Sequence, residues 1–299
     1  MDTKVKASVS DNARNVARVI QSQMAPVGTF TVRRALPDQG FRSLGPWVFL
    51  DHFGPFRVKP GVDGVGAHPH AGIETVTYLL SGRNQHRDSA GHVGIVGPGG
   101  AQWMTSGRGI IHAESPLAEN EAEMSMHGIQ LWTSLPRALK MMAPRYQRID
   151  AASIPQVSLP GATLRVVAGA YSSHVGAVHT GPAQVLMPLL LWHLSLTPGG
   201  TFHAAVPADF EVGAYVIAGA TAGHNPPAVA GQLLVYENIG GGIEIANGGA
   251  ETLEVLVLGG APAEGSLVFH GPFVMNSPEQ IRYAERAYHE GKMGVIADA

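Results

Sequence analysis

The chain is predicted to be mainly β, arranged as two tandem domains of similar size with a short helix at each end. Three observations predict this. Glycine and proline make up 38 and 21 of the 299 residues, which suits many short strands joined by turns and argues against a helical bundle. Short β-rich runs bounded by Gly, Pro, Asn and Asp recur through two blocks, roughly 29–132 and 162–258. The blocks share length and texture without a crisp residue-level repeat. Hydrophobic residues are 45% and charged residues 14%, a composition able to bury a core rather than one that stays disordered. The expected division is an N-terminal domain over 1–140, a C-terminal domain over 141–270 and a helical tail over 271–299.

Taken in order, residues 11–24 are predicted to be an amphipathic helix. Val16, Val19 and Ile20 recur at helical spacing, and Ser10 or Asp11 could cap it. Strands follow at FTVRRAL (30–36), WVFLDHF (47–53), ETVTYLL (74–80) and HGIQLWT (127–133). Residues 136–160 are richer in proline and polar residues and read as a connector. The second block offers LRVVAGA, LLLWHLSL, EVGAYVIAG, QLLVYE, GGIEIA and ETLEVLVLG. Leu233–Glu237 and Ile243–Ala246 flank a Gly-rich break and read as a hairpin. The closing helix has clear signals: Ser277 as N-cap, Pro278 at the first helical position and Gln280 completing a capping box. Ile281, Ala284, Ala287 and Tyr288 form one face, and Gly291 is a stop. Such a helix must pack on something, and either domain could receive it.

Composition excludes several classes. The net charge is −3, whereas a protein that neutralises many phosphates usually shows a basic excess. Direct nucleic-acid binding is not expected. There is no cysteine, which removes disulfides, thiolate metal sites and Cys nucleophiles and is compatible with a cytoplasmic location. The start carries no apolar signal region. The longest apolar stretch, near 187–196, contains Pro188 and His193 and is far short of the roughly 20 residues a membrane helix needs.

Chemistry concentrates in the 14 histidines. On an extended strand, residues two apart share a face, so His68 and His70 in AHPHAGIETVTY project together. His112 and Glu114 in IHAE repeat that spacing. Neutral imidazole is a good ligand for Fe, Cu, Ni and Zn. If the two strands face each other, three nitrogens and one oxygen converge. Glu74 has the same parity as His68 and His70, and parity alone leaves Glu114 and Glu74 both open as the carboxylate. Tyr78 and Gln130 are further polar candidates for the cavity; Phe53, Trp103, Met104 and Leu131 are candidates for its apolar walls. Gly107 and Gly109, flanking Arg108, are placed to shape the entry to the His112 strand. The glycine-rich stretch 91–100 lacks a Gly-Lys-Ser/Thr sequence and reads as tight turns rather than a phosphate cradle. His52, His86, His92 and His127 in the first block, and His174, His179, His193, His203, His224 and His270 further on, have no His-x-His partner. They read as ordinary hydrogen-bonded histidines.

At HPHAGIETVTYLLSG (68–82), HRDSAGHVGIVGPGGAQWMTSGRGIIHAE (86–114) and HGPFVMNSPEQIRYAERAYHEGKMG (270–294), the sequence resembles the pirin family of the cupin superfamily. The resemblance runs from about residue 15 to 294 and implies two tandem antiparallel β-barrel cupin (jelly-roll) domains. It implies one divalent metal ion in the N-terminal domain only, Fe(II) foremost with Ni, Cu, Mn or Zn as alternatives. The residues matching the family's ligands are His68, His70, His112 and Glu114, so the resemblance favours Glu114 over Glu74. It implies two kinds of role. One is a quercetin 2,3-dioxygenase-like activity on a flavonol-like aromatic substrate and O2, with Glu114 also taking the substrate's hydroxyl proton. The other is a metal- or redox-responsive regulator that binds a protein partner, a transcription factor or a metabolic enzyme.

Overall fold

The computed structural model describes residues 12–28, 30–62, 64–118, 123–223 and 227–296. Almost all regular structure is strand, with one α-helix, Pro278–His289, among the described residues. Two compact units emerge. The N-terminal unit holds 23–154, 182–187 and everything from Ala263 on; the C-terminal unit holds residues up to Ser22, 155–181 and 188–262. Each unit thus takes a terminal segment from the far end of the sequence, which the expected boundaries at 140 and 270 do not describe.

The N-terminal unit is built on two large antiparallel sheets, with a two-stranded sheet of Val268–His270 and Phe273–Met275 in the tail. The larger has seven strands in the order Arg145–Ile149, Ala101–Thr105, Ile73–Ser81, Met124–Ser134, Trp47–Val58, Phe30–Leu36 and Gln23–Val27. The smaller has four: Val65–His70, Ile110–Pro116, Asn84–Asp88 and Val93–Val96. Their inner faces meet. Thr77 on the larger sheet reaches Glu114 on the smaller at 2.5 Å, and Asn84 on the smaller reaches Gln102 on the larger at 3.1 Å. Part of the expected connector is therefore sheet, since Arg145–Ile149 pairs along Ala101–Thr105.

The chain passes from the small sheet to the large one at Ala71-Gly72, directly after His70. Gly72 has φ 77°, and a Cβ there would collide with the Val274 carbonyl, so only glycine fits. Its N–H donates to the Gly107 carbonyl at 2.8 Å, joining the exit from the His70 strand to the approach to the His112 strand. The C-terminal tail closes this corner. Val274 N–H donates to the Ala71 carbonyl at 3.1 Å. The buried Lys140 Nζ donates to Gly72 O at 2.7 Å and to Ser134 Oγ and Val274 O at 2.8 Å each. The tail helix is capped as expected, with Gln280 N–H on Ser277 Oγ at 3.3 Å. Ile281, Ala284 and Ala287 pack with Ala71, Phe273, Met275 and Met293, so the helix belongs to the N-terminal unit. Tyr288, expected on that face, is exposed.

The C-terminal unit carries a seven-stranded antiparallel sheet: Val16–Gln21, Gln232–Tyr236, Glu211–Ala218, Leu253–Gly260, Leu189–Leu196, Ala162–Ala168 and Gln156–Leu159. Its core includes Leu164, Trp192, Phe202, Val216 and Val255. The helix expected over 11–24 is overturned. Val16–Gln21 is a strand that covers the edge of Gln232–Tyr236; the proposed caps Ser10 and Asp11 lie outside the described residues. Ile20 is buried and Val16 packs against the core of this unit, but Val19 is exposed, so the helical stripe is not presented as one face. Arg14 anchors the segment by donating to the Phe210 carbonyl at 2.6 Å and the Pro207 carbonyl at 2.9 Å. The expected hairpin is also overturned: Gly242–Ala246 pairs with Thr201–Ala205, while Gln232–Tyr236 lies in the large sheet.

Two expectations follow. Lys140→Met leaves three acceptors without their donor, so stability in urea unfolding should fall by about 3 kcal/mol, at about 1 kcal/mol per lost bond. The second concerns His52 and His127, which read as unpaired but meet Nε2 to Nε2 at 2.6 Å. Burial first, then His127 and Arg33, push His52 from 6.5 down to about 3. The unfolded chain therefore takes up this proton first. The stability contribution is complete above pH 6.5 and is lost as pH falls toward 3. Melting temperature should decline across that window, and His52→Asn should flatten the decline.

Candidate metal centre

Three imidazoles converge at the corner just described. Paired in register, His112 lies opposite His68 and Ile110 opposite His70. One nitrogen from each of His68, His70 and His112 lies within 4.8 Å of the other two. His68 is half-buried; His70 and His112 are buried. The i,i+2 reading of His68 and His70 works because both sit on one uninterrupted strand.

The ring nitrogens are sorted by their partners. His68 Nδ1 is 2.7 Å from the Gly66 carbonyl and His70 Nδ1 is 3.1 Å from the Pro272 carbonyl. A carbonyl only accepts, so each Nδ1 carries the proton and each Nε2 keeps its lone pair. Pro272 lies in the tail, which thereby orients a histidine some 200 residues earlier. His112 Nε2 stands 3.0 Å from His68 Nε2. That equals the edge between neighbouring ligand nitrogens at about 2.1 Å from a shared ion and about 90° apart. Burial, with help from His68, pushes His70 down to about 3; burial and the neighbouring histidines push His112 well below 6.5. Both stay neutral at pH 7, the form that ligates a metal. The donor set therefore fits a divalent transition-metal ion.

Glu114 lies outside this trio but on the same cavity wall as His68 and His70. Its Oε1 accepts from the Thr77 hydroxyl at 2.5 Å and from Asn84 Nδ2 at 3.3 Å. Asn84 also donates to Gln102 Oε1 at 3.1 Å, and Gln102 donates to the Gly94 carbonyl at 3.1 Å. Gln130 completes the group, 2.7 Å from the Thr77 hydroxyl. Thr77, Asn84 and Gln102 were not singled out by sequence; period-2 spacing from Gln102 and register with Gln130 could have found them.

Glu74, the rival carboxylate, is fully buried elsewhere. It accepts from Thr105 Oγ1 at 2.7 Å and Thr133 Oγ1 at 3.3 Å, with an Arg145 nitrogen at 3.7 Å. Burial raises its pKa. Parity carried across Ala71-Gly72 fails because the chain changes sheet there. Glu74, Val76 and Tyr78 share the face opposite Thr77, so Tyr78 does not line the cavity. Trp103 pairs with Val76 and follows it; Leu131 and Met104 are likewise buried outside the wall. Of the expected apolar walls only Phe53 lines the cavity, and Trp132 takes the place given to its neighbour Leu131.

That cavity has a volume of about 610 Å³, within the range of small-molecule sites. Its walls are largely apolar and carry several aromatic rings. Phe49 stacks on Trp132 at 4.1 Å, Phe30 on Phe56 at 4.7 Å, and Trp132 meets His70 edge-on at 4.9 Å. His86 stands nearby, its ring 5.4 Å from His112, but its Nε2 is held by Asp88 at 2.9 Å and its ring stacks on Tyr146 at 4.3 Å. Asp88 also takes the His92 ring at 2.9 Å. In the C-terminal unit His193 is satisfied by Glu254 at 2.9 Å. His224 lies outside the described residues.

Known proteins place this chain. Residues 29–133 match the family Pirin, and residues 191–294 match the Pirin C-terminal cupin domain. The chain belongs to the pirin family. Pirin of Mus musculus is 35% identical over 269 residues, covering 88% of each protein. A quercetin 2,3-dioxygenase structure from Acinetobacter baumannii is similar with a TM-score of 0.86 at 32% identity, covering 95% of this chain and 100% of that one. A bacterial pirin from Escherichia coli in complex with nickel(II) shares the fold, with a TM-score of 0.61 at 20% identity, over 82% of this chain and 99% of that one. The two-cupin expectation thus holds. Among the described residues of this pirin, no helix is long and apolar enough to cross a membrane.

The centre makes one direct prediction. His70→Ala and His112→Ala should each lose stoichiometric metal, read by elemental analysis, while circular dichroism keeps the strand signal of the parent.

Proposed function

We propose that this protein is a metal-dependent dioxygenase that opens flavonol-like substrates. The observation that carries the reading is the imidazole trio, two of whose members, His68 and His70, line an apolar cavity whose wall also holds the hydrogen-bonded carboxylate of Glu114. Likeness to quercetin 2,3-dioxygenase structures supports it. In this reading His68, His70 and His112 hold Fe(II), and Glu114 is the fourth ligand. When bound, the ion would supply Lewis acidity toward an enolic hydroxyl and redox chemistry toward O2.

The chain's own groups do the rest. Glu114 takes the substrate's hydroxyl proton on a carboxylate oxygen; Thr77 and Asn84 keep that carboxylate aimed by their hydrogen bonds to Oε1. Phe49, Trp132, Phe30 and Phe56, stacked in two pairs, line the cavity with apolar ring surface that excludes water and packs against an aromatic substrate. Overall, one flavonol consumes one O2; both oxygen atoms enter the opened ester product and one ring carbon leaves as CO.

The test is oxygen uptake with quercetin by anaerobically purified, Fe(II)-loaded protein. Uptake should match quercetin loss one to one, release CO and vanish in His112→Ala. Glu114→Gln should lose about a hundredfold in kcat, the low end for removing a general base. Metal bound without any uptake would overturn the enzyme reading and leave partner binding as the role to pursue.

A further inference from the structure

The cavity has two cations on its wall, and they are not equivalent. Arg34 is fully engaged: its Nε and a terminal nitrogen grip the Asp51 carboxylate at 2.8 and 2.7 Å, and its guanidinium covers Phe49 at 4.6 Å. Asp51 also lines the cavity, so this pair cancels in place. Arg42 has no such partner. Among the described residues it makes no ion pair and no side-chain hydrogen bond; its guanidinium lies 4.1 Å over the Phe269 ring. It is exposed, whereas His70, Thr77 and Asn84 on the same wall are buried. The cavity therefore runs from a buried end with polar and ligating groups to an open end that carries an unneutralised cation.

Arg42 is also held in place. On its N-terminal side Asp38 and Phe41 exchange backbone hydrogen bonds of 2.9 and 3.1 Å; on its C-terminal side Leu44 and Trp47 do the same at 2.9 and 3.1 Å. Stacking on Phe269 fixes the plane of the guanidinium and leaves its N–H edge free. A planar fork of donors prepositioned beside apolar walls suits a carboxylate, which it can bind bidentately. Little ordering is left to oppose binding.

We propose that the preferred substrate is an aromatic enol bearing a carboxylate on the part that faces the cavity mouth, and that Arg42 is the residue that selects it. This rests on the catalytic reading of the same cavity for the enol end, but the carboxylate end is read from Arg42 alone. Quercetin would then be a surrogate that leaves Arg42 unpaired.

The test is binding without turnover. A 3-hydroxyflavone with a carboxylate on its pendant ring is compared with its neutral carboxamide, by tryptophan fluorescence quenching of metal-loaded protein under nitrogen. The carboxylate should bind about fivefold more tightly, the upper range for an exposed charge pair, with the preference shrinking in high salt. Arg42→Gln should bring the two ligands within about twofold, and Arg42→Lys should restore part of the preference. Arg42 is exposed, so folding of these variants is checked simply by an unchanged melting temperature. Equal binding by the parent, binding of neither ligand, or a preference that survives Arg42→Gln would overturn the proposal. The outcome is separate from catalysis. An Arg42-dependent preference in a protein that never consumes O2 sinks the dioxygenase reading alone; quercetin turnover with no carboxylate preference sinks this one alone.

Discussion

The corner at Ala71-Gly72 is the constraint on which the site depends. His70 ends one strand, and the next residues must leave the small sheet and enter the large one. Gly72 permits the left-handed turn and the close approach of the Val274 carbonyl. Lys140 then bonds Gly72, Ser134 and Val274 at once. A buried ammonium is costly without acceptors; three oxygens receive its N–H groups, and burial still lowers the Lys140 pKa from 10.5 to about 7. The same corner brings the tail within reach of His70, whose Nδ1 is held by Pro272. The far end of the sequence is thus part of the N-terminal unit's chemistry, not an appendage to the C-terminal one.

Burial then sets the protonation of the imidazoles. In water, histidine titrates near neutrality; at this corner desolvation penalises the charged form of His70 and His112. Crowding three imidazoles adds to that penalty. The lone pairs of His68 and His70 are freed by carbonyls on the opposite nitrogens. Three neutral imidazoles brought this close, with His68 and His70 Nε2 left as acceptors, form a donor set suited to a shared cation.

The sequence was informative wherever the relevant geometry lay within one strand. His68-Pro69-His70 obeys the two-residue period, His112 joins it across the sheet opposite His68, and the two-domain β reading rests on Gly/Pro punctuation together with two blocks of β-rich runs of similar length. Inference failed where it crossed a break. Glu74 was carried through Gly72 as though the strand ran straight, and the turn put it on the opposite face with Tyr78. Trp103 went with it through its pairing to Val76. At the N-terminus, Val16, Val19 and Ile20 matched a helical stripe by coincidence. The exposed edge of Gln232–Tyr236 needed a partner strand, and this tertiary demand outweighed the local period. The closing helix is legible because Ser277, Pro278 and Gln280 act locally; which unit it packs on is not, because that depends on Ala71, far away in the sequence.

Glu74, which is buried, and Glu114, which is half-buried, show how one sheet separates structure from chemistry. Glu74 is enclosed by two threonine hydroxyls and an arginine, and burial favours its neutral form. It has no route to the cavity and no capacity left for a ligand there. Glu114 is held on one oxygen, Oε1, by Thr77 and Asn84, and it faces the cavity. A carboxylate anchored through one oxygen can present the other to an ion or a proton without losing its position. The difference lies in which face of the large sheet each residue meets, and the bend after His70 decides that for Glu74. The resemblance-based choice of Glu114 over Glu74 therefore has a physical counterpart: the strand parity that made them equivalent ends at Gly72.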